Sequence, residues 1–238
     1  MPIFDGSEIM IGKGAQADVY QYDGYAYKVY RPTYPAEWIV FEKQQQDEVH
    51  KLGLTRVKYY STDDPHIVKM DLVEGDTLEK KLREGHTGYA GLLAEAFRKV
   101  HTASITGVKI PRLEETAGMG LPKEQQEKVF PVIERLSDKY PRCICHLDMH
   151  FQNILIPKDG SDAVIIDWMN TRIAPAVFDY ARTYVLFREF DQKMAERYME
   201  EVSSDIKDVS EEDLKDAVTV CAILRESEKR CRVKQEIP

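Results

Sequence analysis

Residues 143–156 read Cys-Ile-Cys-His-Leu-Asp-Met-His-Phe-Gln-Asn-Ile-Leu-Ile. Inside this run His146, Asp148, His150 and Asn153 lie close together, with apolar, strand-like residues on both sides. Three chemistries fit such a constellation: a metal cluster, a catalytic loop, or a turn fastened by its own hydrogen bonds. A hydrolase metal cluster needs further His or Asp pairs elsewhere, and His50, His66, His86 and His101 stand in no such pattern. The choice falls to the rest of the chain.

Downstream, Pro157-Lys158-Asp159-Gly160-Ser161-Asp162 reads as a turn into Ala163-Val164-Ile165-Ile166-Asp167-Trp168, an apolar strand that ends in a carboxylate. A two-stranded ribbon of that length would return Asp167 beside Asn153. Upstream, the first seventy residues alternate as strands, and the Asp23-Gly24 pair between them is a strong hairpin signal. One helical stretch, residues 35–52, opens at Pro35 and closes before Gly53. From Thr77 onward helical periodicity dominates, interrupted only by the strand–turn–strand around Cys143 and Asp167. The expected organisation is α+β, with a sheet-rich segment 1–73 and a mainly helical segment 74–238.

The composition narrows the function. Of 238 residues, 43% are apolar and 31% charged, an ordinary globular balance. A net charge of −8 argues against nucleic acid as a partner, because phosphate backbones require basic surfaces. No apolar run is long enough to span a membrane, and the first residues lack the pattern of a signal peptide, so cytoplasm is the expected location. The four cysteines fit that compartment as buried free thiols. Cys143 and Cys145 would share one face of a strand, and Cys221 and Cys231 fall in helical sequence.

Two further motifs bear on the loop. Gly12 and Gly14, one residue apart between strands, let the backbone approach a ligand and aim N–H groups at phosphate oxygens. A strand rather than a helix follows, which excludes a Rossmann fingerprint, and the spacing of a Walker loop is absent. Lys28 lies on the strand after the hairpin, four residues beyond it, where it can reach the α- and β-phosphates of a nucleotide. Glu42 in the next helix is the candidate to hold it, with Glu48 as the rival on another helical face. Asp148 and Asn153, separated by four residues, have the spacing of a kinase catalytic loop, in which the aspartate faces an acceptor hydroxyl and the asparagine faces magnesium.

With these motifs in order, the chain resembles the aminoglycoside phosphotransferase and choline kinase-like family, small-molecule relatives of the protein kinases. The family loop H-G-D-x-H-x-x-N-I-L stands here as His146-Leu147-Asp148-Met149-His150-Phe151-Gln152-Asn153-Ile154-Leu155, and I-D-W as Ile166-Asp167-Trp168. Ala174 to Ala181 occupies the place of G-D-P-x-x-D-x-A, with Asp179 at its second aspartate. The resemblance spans about residues 8–190. It implies a protein-kinase-like two-lobe fold, ATP or GTP with Mg2+ as cofactors, and a small-molecule acceptor hydroxyl. It also implies roles. Asp148 becomes the catalytic base, Asn153 and Asp167 the magnesium ligands, Lys28 the phosphate contact and Glu42 its anchor. Asp71 and Val73 would offer backbone groups to adenine, with Ile11, Val19, Ala26, Leu155 and Ile166 lining its pocket and Gly12 and Gly14 at the phosphates. His146 and His150 would brace the loop.

The departures are local. Leu147 replaces the usual glycine, Phe151 a proline, Gln152 a small or acidic residue, and Ala17 the third glycine of the phosphate loop. Residues 191–216 carry ten acidic side chains against four basic ones, most of them expected on solvated helix faces. The acceptor expected is an aminoglycoside, choline, a sugar or another small alcohol. Two other classes compete: a nucleotide-binding pseudokinase, and a protein kinase. The latter is disfavoured by His150 and by the lack of an Ala-Pro-Glu after Asp167. Oligomeric state is not encoded in any of these motifs.

Overall fold

Asp23 and Gly24 both adopt positive φ, at 46° and 73°, the geometry of the hairpin turn that matches the twist of paired strands. They join β2 (Ala17–Tyr22) to β3 (Tyr25–Tyr30), and with β1 (Ile9–Lys13), β4 (Tyr59–Ser61) and β5 (Ile67–Asp71) these form one antiparallel sheet in the order β1-β2-β3-β5-β4. The computed structural model describes residues 4–89 and 91–236. The helix expected at 35–52 is α1 (Ala36–Lys51), entered through Pro35. Its buried positions recur at helical spacing, Ile39, Glu42, Gln45, Gln46 and Val49, so its inner face is part polar. Gln46 Nε2 meets that demand by donating to Val57 O at 2.6 Å.

The chain divides into two compact units, Met1–Asp76 with Leu155–Met169, and Thr77–Ile154 with Asn170–Pro238. The strand pair that carries Asp167 therefore groups with the N-terminal sheet. It comprises β8 (Ile154–Pro157) and β9 (Val164–Ile165), in a three-stranded sheet ordered β6-β8-β9 with β6 (Gly75–Thr77). Gly75 is obligatory there, since a Cβ would sit 2.3 Å from Ile156 O. The core of the first unit joins Tyr30, Tyr34, Ile39, Val57, Tyr59, Val68 and Val164.

The second unit is helical around one strand pair. Its helices are α2 (Leu78–Arg83), α3 (Leu92–His101), α4 (Leu113–Thr116), α5 (Lys123–Lys139), α6 (Ala176–Phe190), α7 (Gln192–Val202) and α8 (Glu211–Glu236). The strands β7 (Arg142–Cys145) and β10 (Arg172–Pro175) pair antiparallel, with Cys145 opposite Arg172 and Cys143 opposite Ala174. On α5, Val129, Ile133 and Leu136 face inward at helical spacing while Pro131 stays exposed. They pack with Leu113, Phe178, Ala181, Val185 and Val220 into the core of this unit. Among the described residues no helix is long and apolar enough to cross a membrane.

Cys143, Cys145 and Cys221 are free and buried, as the sequence suggests; the side chain of Cys231 lies outside the described residues.

Candidate active site

In the first unit the register of the hairpin sets Lys28 opposite Val19 on β2 and Val68 on β5, in the middle of the sheet. Its Nζ lies 2.6 Å from Glu42 Oε1 and 3.5 Å from Asp167 Oδ1. Both Glu42 and Glu48 are buried, but it is Glu42 that meets Lys28; Glu48 pairs with Lys51 at 2.7 Å on its own helix. Tyr30 Oη donates to Glu42 Oε2 at 2.8 Å, and Tyr59 Oη to Oε1 at 3.4 Å. Burial opposes the charge on Lys28, but Asp167 and Glu42 outweigh it and hold its pKa well above the ordinary lysine value. Burial likewise drives both tyrosine phenols upward, so they remain donors. Lys28 is thus a fixed cation, aimed by two carboxylates. The two tyrosines carry no motif and are invisible without the fold.

Asp167 has φ 64°, a left-handed backbone that an aspartate tolerates better than most residues. Behind it Trp168 Nε1 donates to Ile165 O, closing the strand end. Val73, Leu155 and Ile166 pack against the core of this unit together with Met70. Ala26 is buried, whereas Ile11 is 47% exposed on the edge strand. Asp71 uses its N–H on Lys58 O, and its carboxylate accepts from Lys58 N and Tyr60 Oη, so any adenine contact from Asp71 falls to its carbonyl. Gly14 N–H donates to Ala17 O at 2.9 Å, which closes the glycine turn upon itself. Arg31 fastens this turn, with a two-point pair to Asp18 and a bond to Gly14 O. Gly12 leaves no easy room for a side chain, since a Cβ would lie 3.3 Å from that of Val19.

In the second unit the run that opened the sequence follows β7. Asp179, on the first turn of α6 and wholly buried, accepts from the backbone N–H of His146 at 2.9 Å and of Leu147 at 2.8 Å. It also accepts from His101 Nε2 at 2.9 Å. Leu147 has φ 58°, the left-handed region, where glycine is at ease and a leucine is strained. Its side chain is nevertheless 8% exposed within the core cluster, and that burial offsets the strain. The glycine of the family motif has its physical reason here.

His146 is buried, and its Nδ1 accepts from Asp148 N; His150 Nδ1 does the same for Gln152 N. Asn153 Nδ2 donates to Asp148 O at 2.9 Å and lies 3.5 Å from Asp148 Oδ2. Those bonds use only the amide nitrogen of Asn153; its amide oxygen is a hard donor of the kind magnesium takes. Thr183 Oγ1 adds a bond to Met149 O. Arg182, buried on α6, pairs with Glu228 Oε2 at 2.5 Å. Burial disfavours its charge, but Glu228 and then Asp148 more than restore it, so a fixed guanidinium lies within the field of Asp148. Neither Asp179 as an anchor nor Arg182 follows from spacing; their partners lie more than thirty residues away in sequence.

An antiparallel sheet with a buried Lys–Glu pair, and a helical unit with an Asp-x4-Asn loop pinned from below by an aspartate, define a kinase-like phosphotransferase. The particular family follows: the model of the "phosphotransferase enzyme family" matches residues 10–211, and the chain belongs to it. The choline kinase LicA from Streptococcus pneumoniae shares the fold with a TM-score of 0.67 at 18% identity, over 98% of this chain and 87% of that one. An ethanolamine kinase from Plasmodium vivax aligns with a TM-score of 0.65 at 11% identity, over 97% and 77%. A thermostable mutant of aminoglycoside phosphotransferase APH(4)-Ia gives 0.64 at 9%, over 96% and 90%. No curated protein matches the chain. The protein is therefore a phosphotransferase.

Proposed function

We propose that this enzyme transfers the γ-phosphate of ATP to the hydroxyl of a small, amine-bearing alcohol, the class that includes choline, ethanolamine and aminoglycosides. The observation that carries the nucleotide side is the enclosed Lys28–Glu42 pair at 2.6 Å with Asp167 at 3.5 Å, a cation held rigid where phosphates need one. The amine preference rests on the neighbouring folds, which include choline and ethanolamine kinases and an aminoglycoside phosphotransferase described in complex with AMP-PNP and hygromycin B.

Phosphoryl transfer passes through a loose transition state, so the protein acts by alignment and by spreading charge. Lys28 neutralises the α- and β-phosphates. Val73, Leu155 and Ile166 offer an apolar surface for a base. Asp148 orients the acceptor hydroxyl and takes its proton as the bond to phosphorus forms. The Asn153 amide oxygen and the Asp167 carboxylate are the groups that would hold magnesium, which would supply charge neutralisation. The competing reading, a nucleotide binder without turnover, draws on Gly14, whose N–H is spent on Ala17 O.

The test is nucleotide consumption with magnesium across a panel of choline, ethanolamine, aminoglycosides and sugars, with Asp148→Ala as the control. Loss of the general base should lower turnover at least about a hundredfold while nucleotide binding survives. Undiminished turnover in Asp148→Ala would sink the assignment. A wild type that binds nucleotide yet phosphorylates nothing would favour the binder.

A further inference from the structure

Cys143 and Cys145 alternate with Ile144 along β7, so their side chains leave the strand on one face. Their sulfurs lie 3.8 Å apart. Two thiolates on one zinc ion, each bonded at about 2.3 Å in tetrahedral geometry, are separated by about the same 3.8 Å. A third ligand faces them: a ring nitrogen of His101, at the end of α3, and all three donor atoms lie within 4.8 Å of one another. Ordinary packing explains two buried thiols in contact. It does not explain why an imidazole, already oriented by a carboxylate, is the group brought against them.

That carboxylate is the second observation. Asp179 Oδ2 holds His101 Nε2 at 2.9 Å, which fixes the ring beside the two thiols. A histidine oriented by a carboxylate is the usual surrounding of a metal-bound imidazole. The charges also suit burial: two thiolates and one divalent cation sum to zero, whereas a lone ion at this depth would be costly. Soft sulfur donors exclude magnesium and calcium and select zinc-like ions.

We propose that His101, Cys143 and Cys145 form a binding site for a thiophilic divalent cation of the zinc class, separate from the residues assigned to magnesium. Coordination displaces the two thiol protons, and any proton on the coordinating ring nitrogen, into solvent. The sulfur contacts to Ala174 O and Pro175 O are exchanged for metal bonds. Because Asp179 also grips the backbone of His146 and Leu147, the ion would brace the catalytic loop through one shared carboxylate. The proposal stands independently of the acceptor and of turnover.

Cadmium is the direct probe, since thiolate coordination produces an ultraviolet charge-transfer band that carboxylates do not. Titrating the full-length protein, in excess magnesium and with a reductant that does not bind metal, should give a band saturating at one equivalent, and zinc should compete it away. Cys143→Ala/Cys145→Ala should lose the band, His101→Asn should weaken cadmium binding at least tenfold, and Cys221→Ala and Asp167→Ala should keep both. Zinc should raise the thermal midpoint of the wild type and not that of the double variant. Absence of the band in the wild type overturns the proposal, and this readout needs no variant to fold. Persistence of the band in a folded double variant overturns it equally.

Discussion

At the scale of the single residue, Leu147 shows how one position can be both strained and needed. Its left-handed φ of 58° lets successive N–H groups of His146 and Leu147 converge on Asp179. For a leucine that conformation costs about 1–2 kcal/mol, a penalty that glycine escapes. The side chain recovers more by burial, since truncating a buried leucine to alanine costs about 2–5 kcal/mol. The two terms predict an unusual order. Leu147→Ala loses the packing and keeps the strain; Leu147→Gly loses the packing but sheds the strain. Both variants should be destabilised, and the glycine variant should be the more stable of the two by about 1 kcal/mol. Urea unfolding midpoints of the three proteins check this, and an alanine variant more stable than the glycine variant would show that residue 147 is not left-handed.

At the scale of elements, α5 and α8 are tied by a cluster around Asp213. Its side chain, almost fully enclosed, meets Arg135, Lys139 at 2.5 Å, Tyr140 Oη at 2.7 Å and Ser210 Oγ at 2.7 Å, and Ser210 Oγ in turn caps α8 by accepting from Asp213 N. Bonds from Lys139, Tyr140, Arg135 and Ser210 together pull the Asp213 pKa well below the ordinary value. A carboxylate depressed in the folded state contributes stability that is present above its unfolded pKa, about 3.9, and is lost as pH falls through the lower folded value. Asp213→Asn should therefore be less stable than the wild type at neutral pH. Below about pH 4 the wild type should lose stability more steeply than the variant, so the two curves converge. Parallel curves of thermal midpoint against pH would show that Asp213 does not titrate with unfolding. The helical character of the chain from Thr77 onward is legible from periodicity, but β10 is not. It is a four-residue strand that ends in Pro175 and buries Arg172, features that argue against a strand until β7 supplies its partner.

At the scale of the whole molecule, the fold class was legible because its signals are local. A turn pair at Asp23-Gly24, a helix opened by Pro35 and a loop spacing from Asp148 to Asn153 each declare themselves within a few residues. The parts of the site that stayed hidden are long-range. Tyr30 and Tyr59 converge on Glu42 from separate strands, and Asp179 meets His146 and His101 from 33 and 78 residues away. Short motifs thus name the reacting groups, and tertiary packing decides what holds them. This difference has a thermodynamic reading, because a nucleotide that binds only the folded chain raises stability by mass action. At a hundred times its dissociation constant the gain is about 2.7 kcal/mol. For a chain of 238 residues that corresponds to a rise of about 5–10 °C in thermal midpoint. With ATP and magnesium together, the wild type and Asp148→Ala should show this rise alike, since Asp148 serves the acceptor. Asp167→Ala should lose the part of the rise that depends on magnesium, and Lys28→Ala most of the whole. Equal shifts in the wild type and all three variants would mean that the nucleotide binds elsewhere, and that Lys28, Glu42 and Asp167 are a structural ion cluster of the sheet.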